Sequence, residues 1–475
     1  MKKSLLAVAA MGAFASAAQA QSSVTVYGIL DVGYQSATSR TAGTPNAVAG
    51  ANGNNQAVNT YNTTTTNGST FGQSAETTSR LGFRGTEDLG GGKSAFFTFE
   101  TNLTPNSANM SAMTNRQSFL GLKSNGVGAA SIGTQYTPIH EGIAITDPGQ
   151  QNNMPGNVIY TINPANATNQ TGTRLPGQAE FTSATAATTT QGGAAAGPNN
   201  YTNRVSNSIK FVSDPFAGIV GKAFYSNNSS TTNAISPANV NGAQANTGGY
   251  TNFTGYGFGV DYTGVNKLVA SAAYQTFKAN AFANTTAAPN GQSGTAMVPS
   301  GTSATNQAAV TAAVTTALQA AASQQNSVDN QMYLGVTYDF GILKAYAQYI
   351  NRKASAVTDS SIYGKRTGQQ IGVRSFVTPT IEPWASVGTG KITNSYYVTP
   401  TVASTVATNS AAANVMGYQL GTNYWLSKRT NLYAIYGIEQ TGNTVYPQTQ
   451  AGNTNNLNAV SNKYSAYAVG MRHTF

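Results

Sequence analysis

The sequence predicts an all-β chain closed into a 16-stranded antiparallel transmembrane β-barrel. Three observations carry this expectation: an amino-terminal export segment, a long series of short alternating runs, and a strict alternation of short and long connections between them. Residues 1–20, "MKKSLLAVAAMGAFASAAQA", place Lys2 and Lys3 before an apolar middle and an Ala-Gln-Ala exit, the make-up of a secretory signal peptide. The mature chain is expected to begin at Gln21. No later stretch holds about 18 consecutive apolar residues, so a membrane would have to be crossed by strands.

Composition narrows the chemistry. The absence of cysteine excludes a disulfide framework, a cysteine nucleophile and cysteine-ligated metal. Two histidines, His140 and His473, leave little scope for a metal cluster or hydrolytic acid–base work, and no cofactor is expected. Of 25 basic residues, removal of Lys2 and Lys3 leaves 23 against 15 acids, a mature balance of +8. That sign favours anionic partners without naming one. Abundant Gly, Thr, Asn and Tyr suit strands and turns.

Sixteen alternating runs follow in order: 24–34, 77–85, 93–102, 116–122, 129–136, 204–212, 218–226, 253–262, 268–277, 332–339, 343–352, 368–376, 381–388, 415–426, 431–439 and 464–475. Every second connection is tight ("TEDLGGG", "SNGVG", "SDPFAG", "YTGVN", "DFGI", "VTPT", "SKRT") and carries the Gly, Pro, Asn and Asp that turns need. The intervening connections are long: 35–76, 103–115, 137–203, 227–251, 278–331, 353–367, 391–414 and 440–463. Strict alternation gathers the long connections at one rim and both chain ends at the other. Closure has a physical reason in hydrocarbon, where a sheet edge would leave backbone groups unpaired.

Side-chain parity agrees. Met332, Leu334, Val336 and Tyr338 oppose Tyr333, Gly335, Thr337 and Asp339, and Ile371 and Val373 oppose Gln370, Gly372 and Arg374. Val205, Ile209 and Phe211 are expected opposite Arg204, Ser206, Ser208 and Lys210. With an apolar face on lipid, the polar face lines a lumen, and barrels of about 16 strands leave a water-filled one. The tracts "YNTTTTNGST", "TSATAATTTQGGAAAG" and "TAAVTTALQAAASQQN" read as low-complexity inserts in the long connections, the third open to a short helix.

The segments "SSVTVYGILDVGY", "SRLGFRGTEDLGGGKSAFFTFE", "NRQSFLGLKSNGVGAASIGTQYTP", "NRVSNSIKFVSDPFAG" and the terminal "YAVGMRHTF" resemble the Gram-negative general porins, trimeric outer-membrane channels. The resemblance runs from Ser22 to Phe475 and is poorest in the long connections. It implies a homotrimer set in outer-membrane lipid and lipopolysaccharide, passing ions and small hydrophilic solutes. It also implies a third long connection, 137–203, folded into the barrel as the constriction. Motif by motif, it makes Arg80, Arg116 and Arg204 the arginines that line the constriction in anion-preferring members. Parity supports Arg80 and Arg204 and is indecisive for Arg116, while Arg84 also faces inward but nearer a turn. Glu100, Glu141 and Asp147 are placed as acids across the pore, setting a transverse field, and Glu180 as a surface carboxylate. Phe475 takes the position of the terminal aromatic that the barrel-assembly machinery recognises; an aromatic in the interfacial belt is the plainer reading, and both can hold.

Other classes remain to weigh. A barrel hydrolase needs a histidine base beside a nucleophile, and neither histidine has that setting. An outer-membrane barrel adhesin is compatible with the long connections. A substrate-specific sugar channel would carry an aromatic slide, which Trp384 and Trp425 scarcely make.

Overall fold

A computed structural model describes residues 23–48, 56–106, 114–160, 201–235, 246–285, 327–357, 363–398, 407–447 and 457–475. The expected signal peptide, Glu180, residues 161–200 of the third connection and the tracts at 182–197 and 311–326 lie outside the described residues.

The strands are β1 (Ser23–Val48), β2 (Gln56–Gln73), β3 (Arg80–Gly90), β4 (Lys93–Asn102), β5 (Asn115–Ser124), β6 (Gly128–Tyr136), β7 (Arg204–Ser213), β8 (Ile219–Ile235) and β9 (Asn246–Tyr262). They continue as β10 (Leu268–Thr285), β11 (Ser327–Asp339), β12 (Lys344–Ala356), β13 (Tyr363–Arg374), β14 (Ile381–Val398), β15 (Ala407–Trp425), β16 (Thr430–Pro447) and β17 (Leu457–Thr474). Each pairs antiparallel with its neighbour, and β1 pairs with β17 from Ile29↔Thr474 to Ala42↔Ser461, so the sheet closes. Seventeen strands make sixteen staves. Residues 23–29 of β1 pair with β3 and residues 32–48 with β2, which makes β2 and β3 one stave broken at residues 74–79.

The expected strands are all present, and the main departure lies at the long-connection rim. There "YNTTTTNGST" is part of β2, and β1 runs on to Val48, so 35–76 is mostly ladder. The difference is physical: a stave that outgrows the apolar layer needs only backbone partners, and threonine, a good strand former, supplies them without a core.

Parity sorts the two faces. Leu334, Val336, Tyr338, Ile371, Val373, Tyr467, Val469 and Met471 are exposed on the outside. Tyr333, Thr337, Gln370, Arg374, Ala466 and Ala468 are buried within. The exception is β7, where the register jumps from Gln135↔Val205 to Gly133↔Ser208 and Asn207 has φ 51°. This bulge reverses the alternation, so Val205 is buried against Phe224 and Phe277 rather than outward beside Ile209 and Phe211.

The last strand ends at the seam. Phe475 N–H donates to the Gly28 carbonyl and Gly28 N–H to the Phe475 carbonyl, each at 3.1 Å. The Phe475 ring lies over Gly28, where a Cβ would collide with it.

Candidate functional site: the lumen constriction

The third connection enters the barrel directly after β6. Thr137 caps the helix α1 (Pro138–Thr146): its Oγ1 accepts from His140 N–H at 3.3 Å, and Pro138 at the helix start needs no partner for a missing N–H. Ile139 and Ile143 are fully buried in a cluster with Tyr160, Tyr201, Ala273, Tyr333 and Ile350, so one face of α1 lies on β10–β12. Beyond α1, residues 147–158 run along the inside of β13–β16.

That path is set by inward glutamines and glycines. Gln370 Oε1 accepts from Val158 N–H at 2.9 Å, and Gln419 Nε2 donates to the Met154 and Pro155 carbonyls, both at 2.9 Å. Gln419 and Asn152 also exchange side-chain hydrogen bonds at 3.0 and 3.1 Å. Arg374 donates to the Pro148 carbonyl at 2.6 Å. A Cβ at Gly437 would run into the Pro155 carbonyl, so only glycine lets the segment lie this close to the wall. The tip meets the break in the second stave: Asn153 N–H donates to Ala75 O at 2.9 Å, and its Nδ2 to Ser74 O at 2.6 Å and Thr78 Oγ1 at 3.1 Å. The break is itself pinned, because Asp31 Oδ2 accepts from Glu76 N–H at 2.9 Å and Thr77 N–H at 2.6 Å, and Oδ1 from Tyr433 at 2.6 Å.

The arginines stand on the wall that this segment leaves aside. Arg116 on β5 is buried and makes three contacts: Nε to Glu100 Oε1 at 2.6 Å, one Nη to Asn102 at 2.9 Å and the other to the Tyr136 hydroxyl at 2.8 Å. Arg80 on β3 lies 3.8 Å from the same carboxylate, and Arg204 on β7 stacks over the Tyr136 ring at 5.8 Å. Tyr27 donates to Glu100 Oε2 at 3.2 Å. Among the described residues, the constriction segment faces this wall with His140 and Glu141. His140 stacks on Tyr136 with ring centroids 4.2 Å apart, and Glu141 pairs with Lys210 and, at 3.1 Å, with Lys222. Burial, with Arg204, Arg116, Arg80 and Lys210 around it, holds the His140 imidazole well below its ordinary pKa.

The expected site residues therefore divide. Arg80, Arg116 and Arg204 come together, although the β7 bulge removes the parity reason given for Arg204. Glu100 is not across the lumen: it sits inside the arginine group, on the neighbouring strand, and binds Arg116. Glu141 and Asp147 do lie on the folded-in segment, but Glu141 is held by lysines and Asp147 is buried at the end of α1. There it accepts from Gln151 N–H at 2.6 Å, Asn157 at 3.0 Å and Gln370 at 3.2 Å. His140 is part of the aromatic stack. Arg84 lies over Tyr27 at 5.3 Å, nearer the short turns. Tyr27, Tyr136 and Lys222 join the site unforeseen. Inward parity on their own strands was the signal available for Tyr27 and Lys222, whereas Tyr136 shares the parity of the outward Ile132 and nothing local announces the break at 74–79.

Comparison with known proteins agrees with this architecture. A sequence profile described as Gram-negative porin matches residues 7–288 and 276–444. An outer membrane porin protein of Bordetella pertussis is 37% identical over 155 residues, 31% of this chain and 37% of that protein. Outer membrane porin protein 32 of Delftia acidovorans is 35% identical over 148 residues, again 31% of this chain and 35% of that protein. The matches thus span little more than a third of these relatives' length. The anion-selective porin from Comamonas acidovorans superposes with a TM-score of 0.56 at 18% identity, over 96% of this chain and 100% of that one, which is a likeness of fold. The chain belongs to the Gram-negative porin family and, as a closed barrel of that family, to the outer membrane.

Proposed function

We propose that the chain forms a water-filled outer-membrane channel for passive diffusion of ions and small hydrophilic solutes, with a preference for anions, and that it works as a channel rather than an enzyme. One observation carries this reading: the folded-in segment is seated on β10–β16, while Arg80 and Arg204 stand partly exposed on the other wall, beside the buried Arg116. An anion passing that wall meets guanidinium groups that stay charged at any workable pH. Two residues, more than the whole chain's net charge, set the preference, because charges farther than about 8 Å are largely screened at physiological salt.

The working unit is a homotrimer in this reading, and Phe475, seated on Gly28 at the seam, is the assembly signal. Purified protein in planar bilayers is expected to add ohmic conductance in steps of three, with a zero-current potential of anion-selective sign across a KCl gradient. Absence of conductance overturns the channel reading, and a cation-selective sign overturns the arginine mechanism alone. Deleting Phe475 should lower outer-membrane yield without altering the conductance of whatever assembles; normal yield removes its role.

A further inference from the structure

Tyr136 is the last residue of β6, and one residue later the chain leaves the wall to form the folded-in segment. In the sheet register it stands directly opposite Arg204 of β7. The two strands are tied together immediately beyond this pair: Thr137 N–H donates to the Asn203 carbonyl at 3.0 Å, and Thr137 Oγ1 to the Thr202 carbonyl at 2.8 Å. On the other side, Lys210 Nζ donates to the Tyr136 carbonyl at 3.0 Å. The backbone that carries the ring is thus fixed from both strands.

Every part of the side chain is in use. Its hydroxyl accepts from Arg116 at 2.8 Å, its ring lies within 20° of parallel to the His140 imidazole with centroids 4.2 Å apart, and the Arg204 guanidinium lies over the ring at 5.8 Å. His140 is held in turn by Gln151, whose Nε2 donates to the His140 carbonyl at 3.0 Å. One aromatic group therefore touches two of the three arginines and the folded-in segment at once. The two arginines are held in different ways. Arg116 is gripped by a carboxylate, Glu100, which fixes it and cancels its charge. An aromatic face fixes a guanidinium by stacking and leaves its charge whole. Burial and the surrounding cations keep His140 uncharged, so the imidazole supports the ring without repelling Arg204.

We propose that Tyr136 is the positioning residue of the arginine wall, holding the Arg204 guanidinium at the lumen without neutralising it. A long, flexible side chain spreads its charge over many rotamers unless something holds it, and a passing ion feels only the charge that stands close. The inference rests on the anion-channel reading and adds to it the group that keeps the charge in place.

The test records the full-length protein in planar bilayers and takes the anion-to-cation permeability ratio from the zero-current potential in a KCl gradient. Arg204→Gln removes one unit of charge and should lower the ratio about fourfold; Tyr136→Leu, which keeps apolar bulk but loses the aromatic face, should lower it about twofold. Tyr136→Phe and Tyr136→Trp keep the face and should stay near wild type. In an Arg204→Gln background, Tyr136→Leu should have no further effect on the ratio, a dependence that mere loss of packing would not produce. Tyr136→Met, a more adaptable filler, is read in the same way where the leucine variant gives no barrel. A wild-type ratio in Tyr136→Leu or Tyr136→Met overturns the inference, as does an equal fall with Arg204 already replaced. So does a fall in Tyr136→Phe as large as in Tyr136→Leu, which would assign the effect to the bond with Arg116. A cation-selective wild type instead overturns the anion reading, so the two failures are told apart by the wild-type sign.

Discussion

At the level of the folded-in segment, inward positions of β10–β15 carry Gln275, Gln331, Gln348, Gln370 and Gln419, all buried, whereas β3–β8 present Arg80, Glu100, Arg116, Lys210 and Lys222. Glutamine offers both a donor and an acceptor, so Gln370 and Gln419 satisfy the irregular backbone of residues 154–158, and Gln275 and Gln331 that of Thr202, without adding charge. Guanidinium and ammonium groups hold long-range fields but leave backbone N–H groups unmet. One wall thus holds polypeptide, and the other, in the proposed reading, faces ions. Where cations do occur on the binding wall they are tied down: Arg352 to Asp329 at 2.6 Å, and Arg374 to Glu382 at 2.9 Å and to the Pro148 carbonyl.

The largest way to break this comparison is to reverse the charge of the ion-facing wall. At about 5 Å in water each unit charge is worth at most ~0.8 kcal/mol to a passing ion, and about half that after screening. Arg80→Glu with Arg204→Glu changes four units of charge, so the anion-to-cation permeability ratio should fall by more than about tenfold and the zero-current potential should change sign. Arg116 should behave differently. It is buried and bound to Glu100, Asn102 and Tyr136, so Arg116→Gln leaves the buried Glu100 carboxylate with only the Tyr27 hydroxyl and the more distant Arg80, at a cost of up to about 3 kcal/mol. Reduced barrel yield is its expected effect. If Arg116→Gln assembles normally and shifts selectivity as much as Arg80→Gln, the division between the arginines is wrong.

A smaller effect is expected on the binding wall. Gly437→Val places a branched side chain where the Pro155 carbonyl lies, and overpacking of this kind costs about 1–3 kcal/mol. The segment should lift from the wall while the arginines stay in place. Open-channel noise and protease cleavage within 147–158 should rise, and the sign of the zero-current potential should hold. Reversal of that sign would mean that the seat, not the charged wall, governs selectivity.

How much of this was legible in the sequence follows from the range of each interaction. Strand periodicity and turn chemistry are local, so β4, read at 93–102, coincides with Lys93–Asn102. The three arginines were legible because their motifs resemble those of a known family. Partners across strands were not: whether Glu100 faces the arginines or joins them depends on register, which alternation alone does not fix. The bulge at Asn207 adds one residue to β7 and reverses the parity statements on its amino-terminal side, for Arg204, Val205 and Ser206, while those from Ser208 to Phe211 hold, and no single residue type marks it. The break at 74–79 is held by contacts with Asp31, Asn153 and Tyr433, distant in the chain, and was legible only as an end to alternation.

The smallest effect concerns pH and the same seat. Asp147 ends α1 beneath Pro148, and its burial pushes its pKa up to about 6, from an ordinary 3.8, against the hydrogen bonds it accepts and the nearby Arg374. Tyr333, Tyr346 and Arg374 face it from the wall. A carboxyl whose pKa is raised in the seated state binds its proton more tightly there than when the segment is free. The seat is therefore most stable below the ordinary carboxyl pKa, loses stability as pH rises from about 4 to 6, and carries the full penalty, on the order of 3 kcal/mol, above that. Protease cleavage within 147–158 should accordingly be slower at pH 5 than at pH 7.5, once corrected for the protease's own profile. Asp147→Asn keeps the shape and the acceptor while removing the charge, so it should bring the pH 7.5 rate down toward the pH 5 rate and flatten the profile. A variant that retains the wild-type pH dependence would place the titrating group elsewhere.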